Sequence, residues 1–114
     1  MHKLSNLLFV SSNIHKFKEA KEILDFFGIP IQFFKLNLEE IQSNSIKEIA
    51  IKKAQDAFSK CKKPLIVEDD GIFIDSLDGF PGPYSSYAHN TIGNKGILNL
   101  LKKNRGAKFI STIT

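Results

Sequence analysis

Three consecutive carboxylates, Glu68-Asp69-Asp70, directly follow a short apolar stretch of the chain. Adjacent carboxylates repel one another, and a divalent cation relieves that repulsion. Carboxylate oxygens are also the ligands that Mg²⁺ prefers. In an extended chain Glu68 and Asp70 point to one side and Asp69 to the other. The triplet therefore favours a magnesium site, with a solvated Asp-Asp-Gly turn as the alternative.

A second group of polar residues lies near the start of the chain, where Ser11-Ser12-Asn13 separates an apolar run from a helical pattern. The N–H groups at the start of a helix can bind an anion. His15, Lys16 and Lys18 lie in the first helical turns, where the macrodipole disfavours cations, and Lys16 falls on the apolar stripe. A bound phosphate would explain both features, and so would an ordinary helix cap with a snorkelling lysine.

Lys53 repeats this unusual placement on the next predicted helix. It projects into the middle of an apolar arc formed by Ile46, Ile49, Ala50, Ala54 and Ala57. A buried ammonium without a partner is costly, so Lys53 requires an anion nearby or an edge position from which to snorkel. Two lysines placed in the same way favour a phosphate-bearing ligand.

The elements that position these residues alternate between strand and helix patterns, which predicts an α/β fold. Short apolar runs predict strands over residues 7–10, 31–36 and 64–67. Helices are predicted from Ser11-Ser12-Asn13 to about residue 27, and from Ser45 to about residue 58 or 61. Ser45-x-x-Glu48 is a capping box, which supports the start of the second helix.

The rest of the chain gives four further predictions. Residues 72–74 look like the partner strand of residues 64–67, and the Gly- and Pro-rich residues 78–84 predict a rigid loop. A helix is predicted from Gly93 or Asn94, and a β-branched strand over residues 107–114. No turn, cap or polar tail follows Thr114. We interpret this ending as a fragment or a truncated gene model.

Composition excludes several functional classes. With 114 residues, 42% hydrophobic and 25% charged, the chain predicts one globular domain over residues 1–114. Of its 16 basic residues only Arg105 is an arginine. Proteins that recognise DNA bases commonly use arginine, whose guanidinium group binds guanine through two hydrogen bonds, so we expect no nucleic-acid partner. One cysteine and three scattered histidines form no disulfide or zinc pattern. No apolar run reaches the ~20 residues of a membrane span, and Lys3-Leu4-Ser5-Asn6 is unlike a signal peptide, so we expect a cytoplasmic protein.

Taken together, these motifs resemble the inosine triphosphate pyrophosphatase family, which clears inosine and xanthosine triphosphates from nucleotide pools. The family's opening motif is matched by Ser11-Ser12-Asn13-Ile14-His15-Lys16. Its central motif is matched by Val67-Glu68-Asp69-Asp70-Gly71 followed by Leu77-Asp78-Gly79-Phe80-Pro81-Gly82-Pro83-Tyr84-Ser85. The stretch Thr91-Ile92-Gly93-Asn94-Lys95-Gly96-Ile97-Leu98 resembles archaeal-type members. The pairing of the acidic triplet with Gly-Phe-Pro-Gly-Pro-Tyr is the most specific of these matches.

This resemblance implies a mixed central sheet with flanking helices, of which the chain would be the N-terminal portion of a two-lobed fold. It implies Mg²⁺-dependent hydrolysis of ITP, dITP or XTP to the monophosphate and pyrophosphate, by a homodimer when full length. By position, the substrate-binding residues would be Ser11, Ser12, Asn13, Lys16 and Lys53. The metal ligands would be Glu40, Glu68 and Asp69, and Asp69 would also activate the attacking water.

Some features depart from the family pattern. Ser12 stands where most members have Gly, Asp70 where Ser or Thr is usual, and Ser86 where a basic residue is common. Family members also continue past Thr114, with a Phe-Gly-Tyr-Asp-Pro segment and a late Ser-His-Arg motif. Two alternatives therefore stay open, a nucleotide-binding fragment without catalysis and a Maf-type nucleotide pyrophosphatase. A protein that interacts through an exposed edge strand is a third class.

Overall fold

The computed structural model describes residues 7–114. His2 and the Lys3–Asn6 run, on which the signal-peptide prediction rests, lie outside the described residues. The described residues form two compact units. The first unit comprises residues 7–41, 50–68 and 113–114, and the second comprises residues 42–49 and 69–112. The prediction of one domain over residues 1–114 stays a prediction.

The first unit contains a parallel sheet of three strands in the order β2-β1-β3. Its strands are β1 (Leu8–Ser11), β2 (Gln32–Lys35) and β3 (Leu65–Ile66). The central strand is buried along Leu8, Phe9 and Val10, as its unbroken apolar run predicts. Helix α1 (Ile14–Phe26) connects β1 to β2, and helix α2 (Ile46–Cys61) lies between β2 and β3. The predicted α/β class is confirmed.

Helix α1 begins at the polar junction that the sequence indicates. Asn13 is its N-cap, and the Asn13 Oδ1 atom accepts a hydrogen bond of 2.9 Å from the His15 N–H. The Ser11 hydroxyl in turn accepts a bond of 3.0 Å from the Asn13 N–H. At the other end Gly28, at φ +71°, allows the left-handed turn that ends the helix. These contacts fix both ends of α1 at the predicted positions.

The predicted apolar stripe of α1 is only partly covered. Phe17 packs between Phe9 and Phe33, with ring centroids 6.1 and 5.1 Å away. Towards the C-terminal end Ile23 and Phe27 are exposed, although the helical spacing places them on the same stripe. Helical periodicity therefore identifies the helix correctly and overstates how much of it the sheet covers.

Helix α2 begins with a variant of the predicted capping box. The Ser45 hydroxyl accepts a bond of 3.2 Å from the Glu48 N–H, as the box requires. The Glu48 carboxylate instead accepts from the Ser43 hydroxyl at 2.8 Å, and Ser43 accepts from the Ser45 N–H at 3.0 Å. The predicted arc is confirmed, because Ile46, Ile49, Ala50 and Ala57 are buried. In the first unit Ala57 joins the core with Leu8, Val10 and Val67.

Residues 72–74 are not the partner strand of residues 64–67, so that prediction is wrong. They belong to β4 (Glu68–Ile74), which pairs with β5 (Ala107–Ile113), whereas β3 pairs with β1. Val67, which precedes β4, exchanges two backbone hydrogen bonds with Thr114. A hairpin would need the acidic triplet and Gly71 as its turn. They stay extended instead and form the first half of β4.

The second unit contains two short helices after β4. Helix α3 (Ser85–Thr91) was not predicted, because it is polar and only Ala88 is buried, so no apolar periodicity marks it. Helix α4 (Gly93–Leu100) begins where predicted. The predicted rigid loop over residues 78–84 has left-handed Asp78 and Gly79 and ends in a 3₁₀ turn, Gly82–Tyr84. None of the helices within residues 7–114 is long and apolar enough to cross a bilayer.

The N-cap of α1 gives a prediction about stability. We expect Asn13→Ala to lower the free energy of unfolding by about 1 kcal/mol, because the His15 N–H loses its acceptor. Urea denaturation measures this change. Ser12→Ala, at the exposed neighbouring position, is the control and should shift stability by less than about 0.5 kcal/mol. Equal losses in the two variants would contradict the assignment of Asn13 as the cap.

Candidate functional site

The first lysine singled out from the sequence forms an ion pair with the first carboxylate of the triplet. Lys16 lies on α1 and Glu68 is the first residue of β4. The Lys16 Nζ and Glu68 Oε2 atoms are 3.0 Å apart, and the two side chains are 31% and 14% exposed. A carboxylate covered to this degree requires a positive partner. The unusual position of Lys16 on α1 thus places its ammonium at Glu68.

The second lysine forms a similar pair. Lys53 Nζ on α2 lies 3.2 Å from the Oε1 atom of Glu40, in the segment between β2 and α2. The Lys53 side chain is 16% exposed and that of Glu40 is 54% exposed. The anion that the position of Lys53 requires is therefore supplied by Glu40.

These two pairs differ from the ordinary helix-surface pairs of the same unit. Lys21–Asp25 on α1 and Lys52–Asp56 on α2 each join residues four apart on one helix. Lys16–Glu68 and Lys53–Glu40 instead join residues of different elements. All four of their members lie in the first unit. The structure thus pairs both lysines expected to contact phosphate with the two glutamates expected to hold metal.

The polar residues before α1 have local roles in this structure. The Ser11 hydroxyl and the Asn13 amide oxygen accept hydrogen bonds from backbone N–H groups at the helix start, and the Ser12 side chain is exposed. This geometry is the ordinary cap that the sequence left open as an alternative. A role for Ser11, Ser12 and Asn13 in substrate binding stays a prediction.

In the second unit Asp69 is a buried residue of β4, 9% exposed. Burial alternates along this strand, with Asp69 and Gly71 buried and their neighbours Glu68, Asp70 and Ile72 half-buried. This alternation confirms that Asp69 faces the opposite side from Glu68 and Asp70. Among residues 7–114 no three His, Cys, Asp or Glu side chains come together in a way that could hold a metal ion.

The Gly- and Pro-rich loop lies directly on β4 in the second unit. The Ser85 hydroxyl accepts a bond of 2.9 Å from the Ile72 N–H and donates one of 2.6 Å to the Gly82 carbonyl oxygen. A Cβ atom on Gly71 would overlap that same carbonyl oxygen. The sequence placed Ser85 and Gly71 in the matched motif but predicted no role for either residue. The pairing of the triplet with the Gly- and Pro-rich loop is the sequence signal that could have marked them.

The Ham1 family profile matches residues 7–114. The chain belongs to the Ham1 family. It is 49% identical over 109 residues to the dITP/XTP pyrophosphatase of Methanopyrus kandleri, covering 94% of this chain and 58% of that protein. With the dITP/XTP pyrophosphatase of Ignicoccus hospitalis it shares 42% identity over 105 residues, covering 90% of this chain and 56% of the relative.

Solved structures of Ham1 proteins show the same fold. The Ham1 protein from Coxiella burnetii matches with a TM-score of 0.78 at 25% identity, over 95% of this chain and 61% of that one. The dITP/XTP pyrophosphatase from Mycobacterium abscessus matches with a TM-score of 0.68 at 22% identity, over 94% and 62%. The predicted family is confirmed, and this Ham1 chain spans about three fifths of the length of the relatives it matches.

The Lys16–Glu68 pair can be compared with Lys21–Asp25, since both lysines lie on α1. We expect a double-mutant cycle with Lys16→Met and Glu68→Gln to give a coupling energy of about 1 kcal/mol, because Glu68 is well covered. The roughly half-exposed Lys21–Asp25 pair is the control, with a coupling of about 0.3–0.5 kcal/mol. Chemical denaturation at low salt measures both cycles. A coupling no larger for Lys16–Glu68 than for the control would contradict this difference.

Proposed function

We propose that the whole protein hydrolyses inosine and xanthosine triphosphates (ITP, dITP and XTP), releasing the monophosphate and pyrophosphate. The observation that carries this proposal is the pairing of Lys16 with Glu68 and of Lys53 with Glu40. These pairs provide both kinds of charge that the reaction needs, cations for the phosphates and carboxylates for a metal. The M. kandleri and I. hospitalis relatives named dITP/XTP pyrophosphatases support the same assignment.

The two lysines are proposed to bind the triphosphate. Each ammonium is partly covered and already faces an anion, so a phosphate oxygen can take the place of the carboxylate and keep the ammonium paired. The well-covered Glu68 then takes the metal as its positive partner in this proposal. Charge-assisted hydrogen bonds from the two Nζ atoms then hold the phosphates. The same charges stabilise the negative charge that develops on the departing pyrophosphate. Ser11, Ser12 and Asn13 contribute further contacts at the start of α1 in this proposal.

Glu40, Glu68 and Asp69 are the residues proposed to hold Mg²⁺. They form no preformed cluster within residues 7–114, and Asp69 faces away from Glu68, so in this proposal they come together only when metal and phosphate bind. Their carboxylate oxygens fit a hard cation, and two of them, Glu68 and Glu40, each lie beside a lysine ammonium. Sites of this kind commonly use one or two carboxylates together with oxygens of the substrate phosphates. When bound, Mg²⁺ neutralises phosphate charge and polarises the phosphoryl group.

Asp69 is proposed as the general base. It takes a proton from the water whose oxygen forms the new bond to phosphorus, while the bridging bond between the α- and β-phosphates breaks. Its carboxylate is buried on β4, directly after Glu68 in the chain. A covered carboxylate is less hydrated than one in bulk water and is therefore better able to accept the proton.

Two alternative functions, a Maf-type pyrophosphatase and a nucleotide-binding module without catalysis, are less well supported. The match to the Ham1 family favours this reading over a Maf-type pyrophosphatase. A nucleotide-binding module without catalysis would have no need of a buried carboxylate at position 69, and Asp69 is present. The expectations of a cytoplasmic homodimer without a nucleic-acid partner stay predictions.

The catalytic role of Asp69 leads to a first test, made on the whole protein. We expect pyrophosphate release from dITP and XTP to exceed release from dATP and dGTP. Asp69→Asn should lower kcat by roughly 10²–10⁴-fold, because the proton acceptor is lost. Nucleotide should still bind, because Lys16 and Lys53 remain and the amide keeps one oxygen for the metal. Asp70→Asn, on the other side of β4, is the control and should stay within a few-fold of the natural protein. Faster turnover of dATP and dGTP would refute the substrate assignment, and near-normal rates in Asp69→Asn would refute the base.

Competition between phosphate and carboxylate for Lys53 leads to a second test. We expect Glu40→Gln to strengthen binding of inorganic triphosphate in EDTA by about threefold, corresponding to about 0.6 kcal/mol, because the anion that competes for Lys53 is gone. Calorimetric titration measures the affinity. Glu39→Gln makes the same change in net charge at the neighbouring position and should have a smaller effect. Equal gains in the two variants would show that only net charge matters.

A further inference from the structure

The Ser85 hydroxyl connects two parts of the second unit that are distant in the sequence. It accepts from the Ile72 N–H of β4 at 2.9 Å and donates to the Gly82 carbonyl oxygen at 2.6 Å. Gly82 is buried, so its carbonyl group has little access to water and depends on a protein donor. The Gly82 oxygen also accepts from the Ser85 backbone N–H, so the hydroxyl is its second donor. One hydroxyl therefore joins a strand donor to a loop acceptor.

The loop joined by Ser85 lies on the face of β4 from which Asp69 projects. Asp69, Gly71 and Phe73 share one face because side chains alternate along a strand. At Gly71 the absence of a side chain lets the Gly82 carbonyl oxygen come into close contact. A Cβ atom on Gly82 would lie 2.9 Å from the Phe73 ring, and Phe73 forms an isolated antiparallel bridge with Pro81. The loop thus packs on the two positions that follow Asp69 along this face, Gly71 and then Phe73.

We propose that Ser85 is a positioning residue for Asp69. The hydroxyl fixes the backbone of β4 at Ile72, three residues beyond Asp69, and holds the loop against Gly71. Without this bond the loop keeps the 2.9 Å hydrogen bond from the Gly79 N–H to the Ile74 carbonyl oxygen and the bridge between Phe73 and Pro81. Both lie beyond Ile72, so the part of β4 nearest Asp69 loses its hydrogen bond to the loop and gains freedom. The direction of the Asp69 carboxylate is then less well defined. The consequence for catalysis rests on the proposed function, whereas the effect on Asp69 itself does not.

The chemistry of the bond makes the proposal selective for one kind of side chain. Position 85 requires a group that donates and accepts together, which Ser and Thr provide and Ala does not. A Cys thiol is weaker in both roles. We therefore expect a graded series at position 85, in which Thr retains the natural behaviour, Cys is intermediate and Ala is the most affected.

The test compares Ser85→Ala, Ser85→Cys and Ser85→Thr in the whole protein, with Ser86→Ala at the exposed neighbouring position as the control. We expect Ser85→Ala to speed hydrogen exchange at the Ile72 amide at least tenfold and to move the carboxyl ¹³C resonance of Asp69. With dITP, kcat should fall about tenfold while KM changes less than twofold, because binding groups are untouched. Ser85→Thr should keep the exchange rate, the Asp69 resonance and kcat at their natural values, and Ser85→Cys should give intermediate values. The Cys variant provides a measurement even where Ser85→Ala folds poorly.

Two results would overturn the proposal. The first is an unchanged Asp69 resonance in Ser85→Ala despite faster exchange at Ile72, which would leave Ser85 with a purely structural role. The second is a loss of kcat that Ser85→Thr does not restore. If the natural protein releases no pyrophosphate, the proposed function fails, and the Asp69 resonance across the series still decides whether Ser85 positions it.

Discussion

A partly covered ammonium is stable only beside a negative charge, and this constraint links the elements of the first unit. Lys16 and Lys53 lie on the apolar sides of their helices. Lys16 on α1 therefore pairs with Glu68 at the start of β4, and Lys53 on α2 pairs with Glu40 in the segment between β2 and α2. The first unit meets this constraint with Glu68, 3.0 Å from the Lys16 Nζ atom, and Glu40, 3.2 Å from the Lys53 Nζ atom. In the proposed function the same two ammonium groups bind a triphosphate whose oxygens replace the carboxylates.

The second constraint concerns β4, which carries Glu68 in one unit and Asp69 in the other. Alternation sends these neighbouring carboxylates to opposite faces, so one can pair with Lys16 while the other is buried. The loop that ends at Ser85 lies on the Asp69 face and requires glycine at positions 71 and 82. The strand that carries Asp69 and the loop are thus joined by the contact at Gly71 and the Ser85 hydrogen bonds.

Much of this could be predicted from residue patterns. The helix starts at Asn13 and Ser45 follow from capping chemistry, and the positions of Lys16 and Lys53 indicated that each needs an anion. That their partners would be Glu68 and Glu40 could not be read from local spacing, because these contacts join distant parts of the chain. The predicted pairing of residues 72–74 with residues 64–67 was wrong for the same reason, because their partner strand β5 begins only at Ala107. Helix α3 was missed because its residues are mostly polar and give no periodic pattern.

The most direct measurement for the central claim is a crystal structure of the whole protein with Mg²⁺ and a non-hydrolysable analogue of dITP. We predict that the Nζ atoms of Lys16 and Lys53 leave Glu68 and Glu40 and lie within hydrogen-bond distance of phosphate oxygens, while both glutamates turn to the metal. Persistence of both ion pairs at their present 3.0 and 3.2 Å, with the phosphates bound elsewhere, would contradict the account.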